Sequence, residues 1–208
     1  MKEGLLERGQ QISSYRLAGK TEERGHTATF SFEFRAPNRM RGELLTPLKA
    51  AYAFDGTTLY ARAEGKGSST PLRSAEEGAL LLAQTFSPFA PEGYRSPLVL
   101  REGLSAERAE GQAAVRLIQV IEGQTHQKIT YLLRWPSLDF LEKRLESTSG
   151  TATDRVDAEH CEKALGRCFP QRVVHLEGQE AVGVSTVTAI EINPVIPADR
   201  FTLPVDPR

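Results

Sequence analysis

The sequence predicts an α+β protein with a large antiparallel sheet of about nine or ten strands and two or three helices on one face. Three observations support this class. Period-two alternation of apolar and polar residues recurs in both halves of the chain. An Asp-Gly pair between two alternating runs marks a tight hairpin. A capped, apolar-rich segment between the two sets of strands has the pattern of a helix. A sheet of this size curls as its twist accumulates, so one face becomes concave.

The first half of the chain predicts one helix followed by an antiparallel meander. Residues 2–14 have the apolar spacing of an amphipathic helix, with Leu5, Leu6 and Ile12 on the apolar side. From about Ser13 the period changes to two, which predicts strands joined by tight turns. These strands read YRLAGKTEE, HTATFSFEFR, NRMRGELLT, KAAYAF and TTLYARAEG, with Asp55-Gly56 as the turn between the last two.

The middle of the chain predicts a loop and then a helix. The segment GKGSSTP, residues 65–71, has the composition of a loop. In SAEEGALLLAQTF, Ser74 and Glu77 form a capping box at the start of a helix. Five apolar residues in this segment, including Leu82 and Phe86, are enough to bury most of the helix. The segment VLREGLSAERAEG is ambiguous, with a strand and then a loop as one interpretation.

The second half of the chain returns to strands. The predicted strands read QAAVRLIQVIEG, HQKITYLLRW, FLEKRLESTSG, QRVVHLEG and VGVSTVTAIEIN, and a proline-punctuated extended tail follows them. Pro136 predicts a turn after Trp135, because proline cannot donate to a sheet ladder. The polar residues 151–170 predict a short helix that Asp157 caps and that carries Cys161.

Length and composition limit the class of function. The 208 residues fit one domain, 1–208, and the formal net charge of −1 gives no basic excess for a nucleic-acid partner. No apolar run approaches the roughly 18 residues of a membrane span. The chain opens on Met-Lys-Glu-Gly without a signal peptide, so we expect either a cytoplasmic protein or the mature part of an exported one.

Motifs for catalysis or cofactor binding are missing from the sequence. GxSxG, HExxH and Walker patterns do not occur, and the four histidines lack metal-ligand spacing. Alternation places Glu33 and Glu43 outward, which predicts solvated charges. We therefore expect no enzyme, no cofactor and no metal; an enzyme would require a polar cluster on the inner face of the sheet.

The sequence does not decide whether the two cysteines form a disulfide. Cys161 and Cys168 are seven residues apart, and on one continuous helix that spacing is about 10 Å, too far for a bond. Gly166 could end the helix and fold Cys168 back toward Cys161. A metal site built from these cysteines with His160 and His175 is a weaker alternative.

The most distinctive stretch is TFSFEFRAPNRMRGEL. Phe30, Phe32 and Phe34 alternate with polar residues and therefore share one face of a strand, and Met40 and Leu44 continue that face on the next strand. These side chains are either ordinary core or the wall of a pocket for an apolar ligand. The second outcome follows if the helices cover the concave face incompletely.

Several segments together resemble the periplasmic lipoprotein-carrier superfamily (LolA/LolB-like). The first half has YRLAGKTEE, TATFSFEFRAPNRMRGEL and AYAFDGTTLYAR, and the second half has SLDFLEKRLESTSG and the closing segment FPQRVVHLEG to FTLP. The matching positions are Pro37, Asn38, Asp55, Gly56, Leu59, Tyr60, Pro170, Asn193, Ile196, Pro197, Phe201 and Pro204. The likeness covers nearly the whole chain.

The resemblance implies an incomplete antiparallel β-barrel of about 9–11 strands with a helical lid, and an apolar cavity that accepts acyl chains without catalysis. It also implies the periplasm or the outer membrane, with peripheral or lipid-anchored membrane association. One position departs from the family. The carriers place an arginine directly before the proline of the corner, whereas Ala36 stands here and Arg35 points to the opposite face. The arginine's role in holding the lid shut is therefore not expected in this chain.

These inferences lead to two hypotheses for function. In the first, the protein is an envelope carrier or receptor for acyl chains of lipids or lipoproteins. In the second, the same fold is a sensor or scaffold with a filled interior that acts by binding an envelope protein. The predicted ligand-binding residues are Phe30, Phe32, Phe34, Met40, Leu44, Tyr52, Phe54, Leu82, Phe86, Tyr131, Leu133 and Trp135.

Overall fold

The computed structural model describes residues 11–46, 49–71, 105–111, 113–121 and 127–206. Across these residues thirteen strands form one antiparallel sheet, and a short 3₁₀ turn, Ala198–Phe201, lies in the C-terminal tail. The strands of the first half are β1 Ser14–Glu23, β2 His26–Arg35, β3 Arg39–Thr46, β4 Ala50–Phe54, β5 Thr58–Ala63 and β6 Lys66–Pro71. Those of the second half are β7 Ser105–Arg108, β8 Ala114–Ile121, β9 Gln127–Arg134, β10 Phe140–Ser147, β11 Gly150–Glu162, β12 Arg167–Glu177 and β13 Glu180–Ile192.

The sheet consists of two meanders that meet in its middle. The spatial order is β6-β5-β4-β3-β2-β1-β13-β12-β11-β10-β9-β8-β7. Within each meander, consecutive strands are hydrogen-bonded neighbours. Among the described strands, the two meanders are joined by the pairing of β1 with β13. The first and last of the described strands therefore join the two meanders near the centre of the sheet, and β6 and β7 are its edge strands.

The alternating runs of the sequence form strands where they were predicted. This confirms β1 to β5, β8 to β10, β12 and β13, while β7 lies in the segment whose pattern was ambiguous. The carboxylate of Asp55 accepts the backbone N–H groups of Thr57 and Thr58, each at 2.8 Å, and Gly56 has a φ of 108°. The Asp-Gly pair is therefore a turn, as predicted. The thirteen strands exceed the predicted number.

One predicted helix and one predicted loop are wrong within the described residues, and the end of another predicted helix is misplaced. Ser14 begins β1, so the predicted helix over 2–14 does not reach its expected end; residues 2–10 lie outside the described residues. Residues 150–162 form β11 rather than a helix capped by Asp157. Residues 66–71 form β6 rather than a loop. The helix predicted from Ser74, and with it the helical lid, falls outside the described residues.

The extended conformation of β11 brings the two cysteines together. Cys161 and Cys168 are direct partners in the β11–β12 hairpin, with Cα atoms 4.0 Å apart, and they form a disulfide. Gly166, with a φ of 60°, turns the chain between them. The spacing of seven residues is too long for a disulfide only on a continuous helix. In the hairpin the two cysteines lie opposite each other, so this objection does not apply.

Strand alternation divides the sheet into two faces. Tyr15 and Leu17 of β1 pair with Phe34 and Phe32 of β2, so these side chains share one face, called here the inner face. The intervening residues, such as Glu33, lie on the outer face. Because the aromatic row is almost entirely buried, the inner face carries the core.

The C-terminal tail, residues 193–206, crosses the outer face of the first meander. Arg35 donates to the carbonyl oxygen of Ile196 at 3.0 Å, which confirms that Arg35 points away from the phenylalanine row. Arg41 donates to the carbonyl oxygen of Arg200 at 2.8 Å, and the 3₁₀ turn contacts β3 and β4. The fully buried Phe201 anchors this crossing.

The tail also explains why Glu33 is not a solvated charge. Glu33 is only 5% exposed, and its carboxylate contacts Nε of Arg16 at 2.9 Å and Nε of Arg200 at 3.0 Å. Glu43 is partly buried and pairs with Arg41. The prediction that both carboxylates are solvated is wrong, because it could not anticipate the tail that covers this face.

The tail ends at the β6 edge of the sheet. The N–H of Gly67 donates to the Asp206 carboxylate at 2.9 Å, and the Asp206 N–H donates back to the carbonyl oxygen of Gly67 at 3.4 Å. A Cβ at position 67 would lie 2.3 Å from the carbonyl oxygen of Pro204, so only glycine allows this approach. The tail thereby occupies backbone groups that an edge strand would otherwise expose.

Candidate functional site

The inner face of the first meander is a packed aromatic surface. The Tyr15 ring stacks on Phe34 and Phe32, with centroid distances of 5.2 and 5.7 Å. At position 19, a Cβ would lie 2.6 Å from the Phe30 ring, so Gly19 gives that ring its room. The buried members of this first cluster are Ile12, Tyr15, Leu17, Phe30, Phe32, Phe34, Met40, Phe54, Phe169, Val173 and Val187.

A second apolar cluster lies on the inner face of the other meander. Its buried members are Val115, Leu117, Ile129, Tyr131, Leu133, Leu138 and Phe140. Val156 of β11 is partly buried and packs against both clusters. The apolar surface therefore continues across the centre of the sheet, from β4 to β8.

Most predicted ligand-binding residues lie in these two clusters. Phe30, Phe32, Phe34, Met40 and Phe54 belong to the first, Tyr52 packs against it, and Tyr131 and Leu133 belong to the second.

Two of the predicted residues belong to neither cluster, and two lie outside the described residues. Trp135 is 40% exposed in the turn after β9. Leu44 is 36% exposed and lines a depression of about 370 Å³ with Leu45 and Arg62. Leu82 and Phe86 lie outside the described residues.

A row of polar residues crosses the inner face beside the apolar clusters. Thr21 pairs with Ser185, Asp154 pairs with His175, and Lys143 pairs with Asp154, so the row, called here the polar row, spans β1, β13, β12, β11 and β10. Tyr131, the partner of Lys143 on β9, shows that these residues share the face of the second cluster. This polar cluster on the inner face was not predicted from the sequence.

Hydrogen bonds connect four members of the polar row. The Asp154 carboxylate contacts Nδ1 of His175 at 2.7 Å, Nε2 of His175 contacts the Ser185 hydroxyl at 2.6 Å, and this hydroxyl contacts that of Thr21 at 2.5 Å. Ser185 is 4% exposed, whereas the His175 and Asp154 side chains are 21% and 24% exposed. The row is therefore reachable through its imidazole and carboxylate.

Burial controls the electrostatics at the far end of the row. It lowers the pKa of the Lys143 ammonium, and the Asp154 carboxylate opposes that shift. Burial also raises the pKa of the Tyr131 phenol above its ordinary value. Within the described residues, no group of three or more His, Cys, Asp or Glu side chains is placed to hold a metal ion.

The polar row was missed because its members are far apart in the sequence. The sequence did contain one signal, the alternation of side chains between the two faces of a strand. His175 is two residues after Val173, and Ser185 is two residues before Val187, so each polar residue lies on the same face as a buried valine. A polar residue at an inward position is informative only when several such strands are aligned, and a single sequence does not give that alignment.

Comparisons with known proteins identify the fold. The chain has a TM-score of 0.62 and 10% identity to a domain from Vibrio parahaemolyticus described as an outer membrane lipoprotein-sorting protein, over 96% of this chain and 95% of that one. It has a TM-score of 0.57 and 14% identity to a LolA superfamily protein from Nitrosomonas europaea, over 97% of both chains. A DUF1329 family protein from Desulfovibrio piger gives 0.59 and 10%, over 97% and 95%.

These similarities show a LolA-like fold, as the resemblance predicted, with a large curled antiparallel sheet of thirteen strands. No family model and no curated protein sequence matches the chain. In the part of the chain that the structure describes, no helix is long and apolar enough to cross a membrane.

Proposed function

We propose that the protein binds acyl chains of lipids or lipoproteins on the inner face of its sheet and acts as a non-enzymatic carrier or receptor in the cell envelope. The observation that carries this proposal is the apolar inner face, continuous from β4 to β8 through Val156, in a LolA-like fold. The lipoprotein-sorting description of one solved structure with this fold supports the same class of ligand.

The energy of such binding comes from apolar area. Each buried methylene of an acyl chain contributes about 0.8 kcal/mol, so ten of them supply roughly 8 kcal/mol before the costs of ordering and association. The partly buried residues around the first cluster still have surface to offer a chain. They include Tyr52, Leu59, Val156, Ile190 and Ile192.

The disulfide supports the envelope as the location. Disulfides persist in oxidising compartments such as the bacterial periplasm and are rare in the cytosol. Cys161 and Cys168 form one across the β11–β12 hairpin, and no free cysteine accompanies them. Of the two locations that the sequence left open, the exported one fits this chemistry better. In that setting, peripheral or lipid-anchored association with a membrane is part of the proposal.

A matched pair of variants on β5 tests the binding proposal. Leu59 lies on the inner face opposite Phe54 and is partly buried, whereas Arg62 lies on the outer face of the same strand and is exposed. We expect Leu59→Gln to reduce the affinity for a fatty-acyl ligand by about tenfold, since it places an amide in the apolar site. Arg62→Gln should leave the affinity unchanged.

The measurement is native mass spectrometry of the purified protein, followed by titration of a delipidated sample with oleic acid. Retained lipid in the wild type and in Arg62→Gln, with weaker uptake by a folded Leu59→Gln, is the expected pattern. Wild-type protein that neither retains nor takes up acyl ligands would contradict the proposal.

The tight burial of the inner face favours a second candidate, an interaction module with a filled interior. Phe34 and Phe54 have no exposed surface, and Phe32 is 1% exposed. In this case the inner face is core only, and the protein acts as an envelope sensor or scaffold by binding another protein. The titration separates the candidates, because a filled interior takes up no oleic acid in any variant.

A further inference from the structure

The hydrogen-bonded chain of the polar row presents acceptors to a ligand. When Nδ1 of His175 carries the ring proton, it donates this proton to the Asp154 carboxylate. Nε2 then accepts the hydroxyl proton of Ser185, and Oγ of Ser185 accepts that of Thr21. In this arrangement the protons are used within the chain or on the carbonyl oxygen of Val184, which lies 3.5 Å from the Thr21 hydroxyl. The chain can still accept hydrogen bonds through lone pairs on the two hydroxyl oxygens and on the carboxylate.

The charges of the row favour a neutral ligand group. Lys143 and Asp154 are direct partners across β10 and β11, so a cation and an anion lie side by side. Because these two charges offset each other, an anionic or an ammonium ligand group gains no net attraction there and still loses its hydration. A neutral hydroxyl group avoids this cost and donates the hydrogen bond that the acceptors require.

The position of the row fits one end of an amphiphilic molecule. The turns of the β1–β2, β10–β11 and β12–β13 hairpins lie at one end of the sheet, and the polar row lies between that end and the first apolar cluster. On β1, Thr21 is one inward position nearer to the turn than Gly19, which pairs with Phe30 and Val187. A chain on the apolar clusters therefore has its polar end beside the row.

We propose that the polar row binds the hydroxyl-bearing polar end of a neutral acylated ligand, of which a monoacylglycerol is the simplest example. This inference rests on the proposed binding of acyl chains and adds the class of headgroup. Thr21 and Asp154 accept hydrogen bonds from the glycerol hydroxyl groups, and His175 and the buried Ser185 fix the direction of these bonds.

The same distances occur in the Asp-His-Ser triads of hydrolases, but the surroundings of Ser185 favour binding. Ser185 lies within β13 and pairs with Thr21 on one side and Val173 on the other, so its backbone N–H is used within the sheet. This N–H is therefore not available as an oxyanion donor, a role that the backbone N–H of the nucleophile has in the serine-protease triad. The Thr21 hydroxyl also occupies the approach to Oγ of Ser185.

Competition between two ligands with the same chain tests the proposal. The full-length protein is loaded with the neutral fluorescent probe N-phenyl-1-naphthylamine at pH 8, and 1-monooleoylglycerol or methyl oleate is added to displace it. We expect the wild type to prefer monooleoylglycerol over methyl oleate by roughly fivefold more than each variant does, since the loss of one hydrogen bond costs about 1 kcal/mol. Methyl oleate should bind all proteins equally.

The variants are Thr21→Val, which keeps the shape of the side chain, and Ser185→Ala, with Thr188→Ala as control. Thr188 is exposed and donates to the carbonyl oxygen of Ala18, so it should keep the wild-type preference. Thermal unfolding identifies any variant that fails to fold.

An unchanged preference in both folded variants overturns the headgroup assignment and leaves acyl binding intact. Failure of both ligands to displace the probe overturns the acyl-binding proposal itself. Covalent labelling of Ser185 by a fluorophosphonate would show that this serine is a nucleophile. That result would overturn the binding role and favour acyl transfer.

Discussion

Replacement of Phe201 by alanine is expected to lower the free energy of unfolding by about 3–4 kcal/mol. Phe201 has no exposed surface and belongs to the 3₁₀ turn that contacts β3 and β4. Truncation removes most of its buried area and leaves a cavity beneath the tail. The effect should appear in urea-induced unfolding as a lower midpoint.

A second position in the same tail provides the control. Val195 is 93% exposed, so Val195→Ala should change the free energy of unfolding by less than about 0.5 kcal/mol. If both substitutions have equal effects, the tail does not dock on the outer face in solution. A large loss at Phe201 alone shows that the tail is part of the cooperative unit.

Replacement of Glu33 by alanine is expected to cost about 2–3 kcal/mol of stability. The substitution removes a buried carboxylate that contacts Arg16 with one oxygen and Arg200 with the other. The two arginine side chains are 38% and 43% exposed, so they regain water in part. We therefore expect a loss below the 3–5 kcal/mol that breaking a fully buried pair costs.

Glu191 offers a matched control because it contacts the same arginine. Its carboxylate lies 3.4 Å from Arg16, but its side chain is 59% exposed, and Glu191→Ala should cost less than about 0.5 kcal/mol. A double-mutant cycle between Glu33→Ala and Arg200→Ala measures the link between sheet and tail. A coupling energy near zero would mean that Glu33 does not hold the tail.

The sequence was sufficient for the strands whose alternation is clear. HTATFSFEFR and the Asp55-Gly56 hairpin form as predicted, because half-buried strands are specified by local period and turn chemistry. β6 was missed because GKGSSTP has loop composition, yet the meander and the tail at Gly67 hold it in the sheet. β11 was missed because TATDRVDAEHCE exposes polar residues on both faces.

The candidate site was predictable in part for the same reason. Phe30, Phe32 and Phe34 share a face by parity, and the structure places them in one cluster. The polar row and the environment of Glu33 depend on contacts between residues more than a hundred positions apart or on several strands in register. Such contacts leave no local pattern. The resemblance to a known superfamily supplied the LolA-like fold, which is confirmed, whereas the helical lid lies outside the described residues. The resemblance gave no residue of the polar row.

The pairing of β1 with β13 has a consequence for the order in which the chain folds. Each meander consists of hairpins between neighbours in sequence and can form locally, but their junction has to wait for the last strand. At 5–20 residues per second, the roughly 160 residues between β1 and β13 take about 8–30 s to synthesise. During this interval, the edge of β1 that later pairs with β13 has no native partner. High contact order of this kind slows folding and favours pairing between chains, so chaperone protection of the nascent chain should raise the yield of native protein.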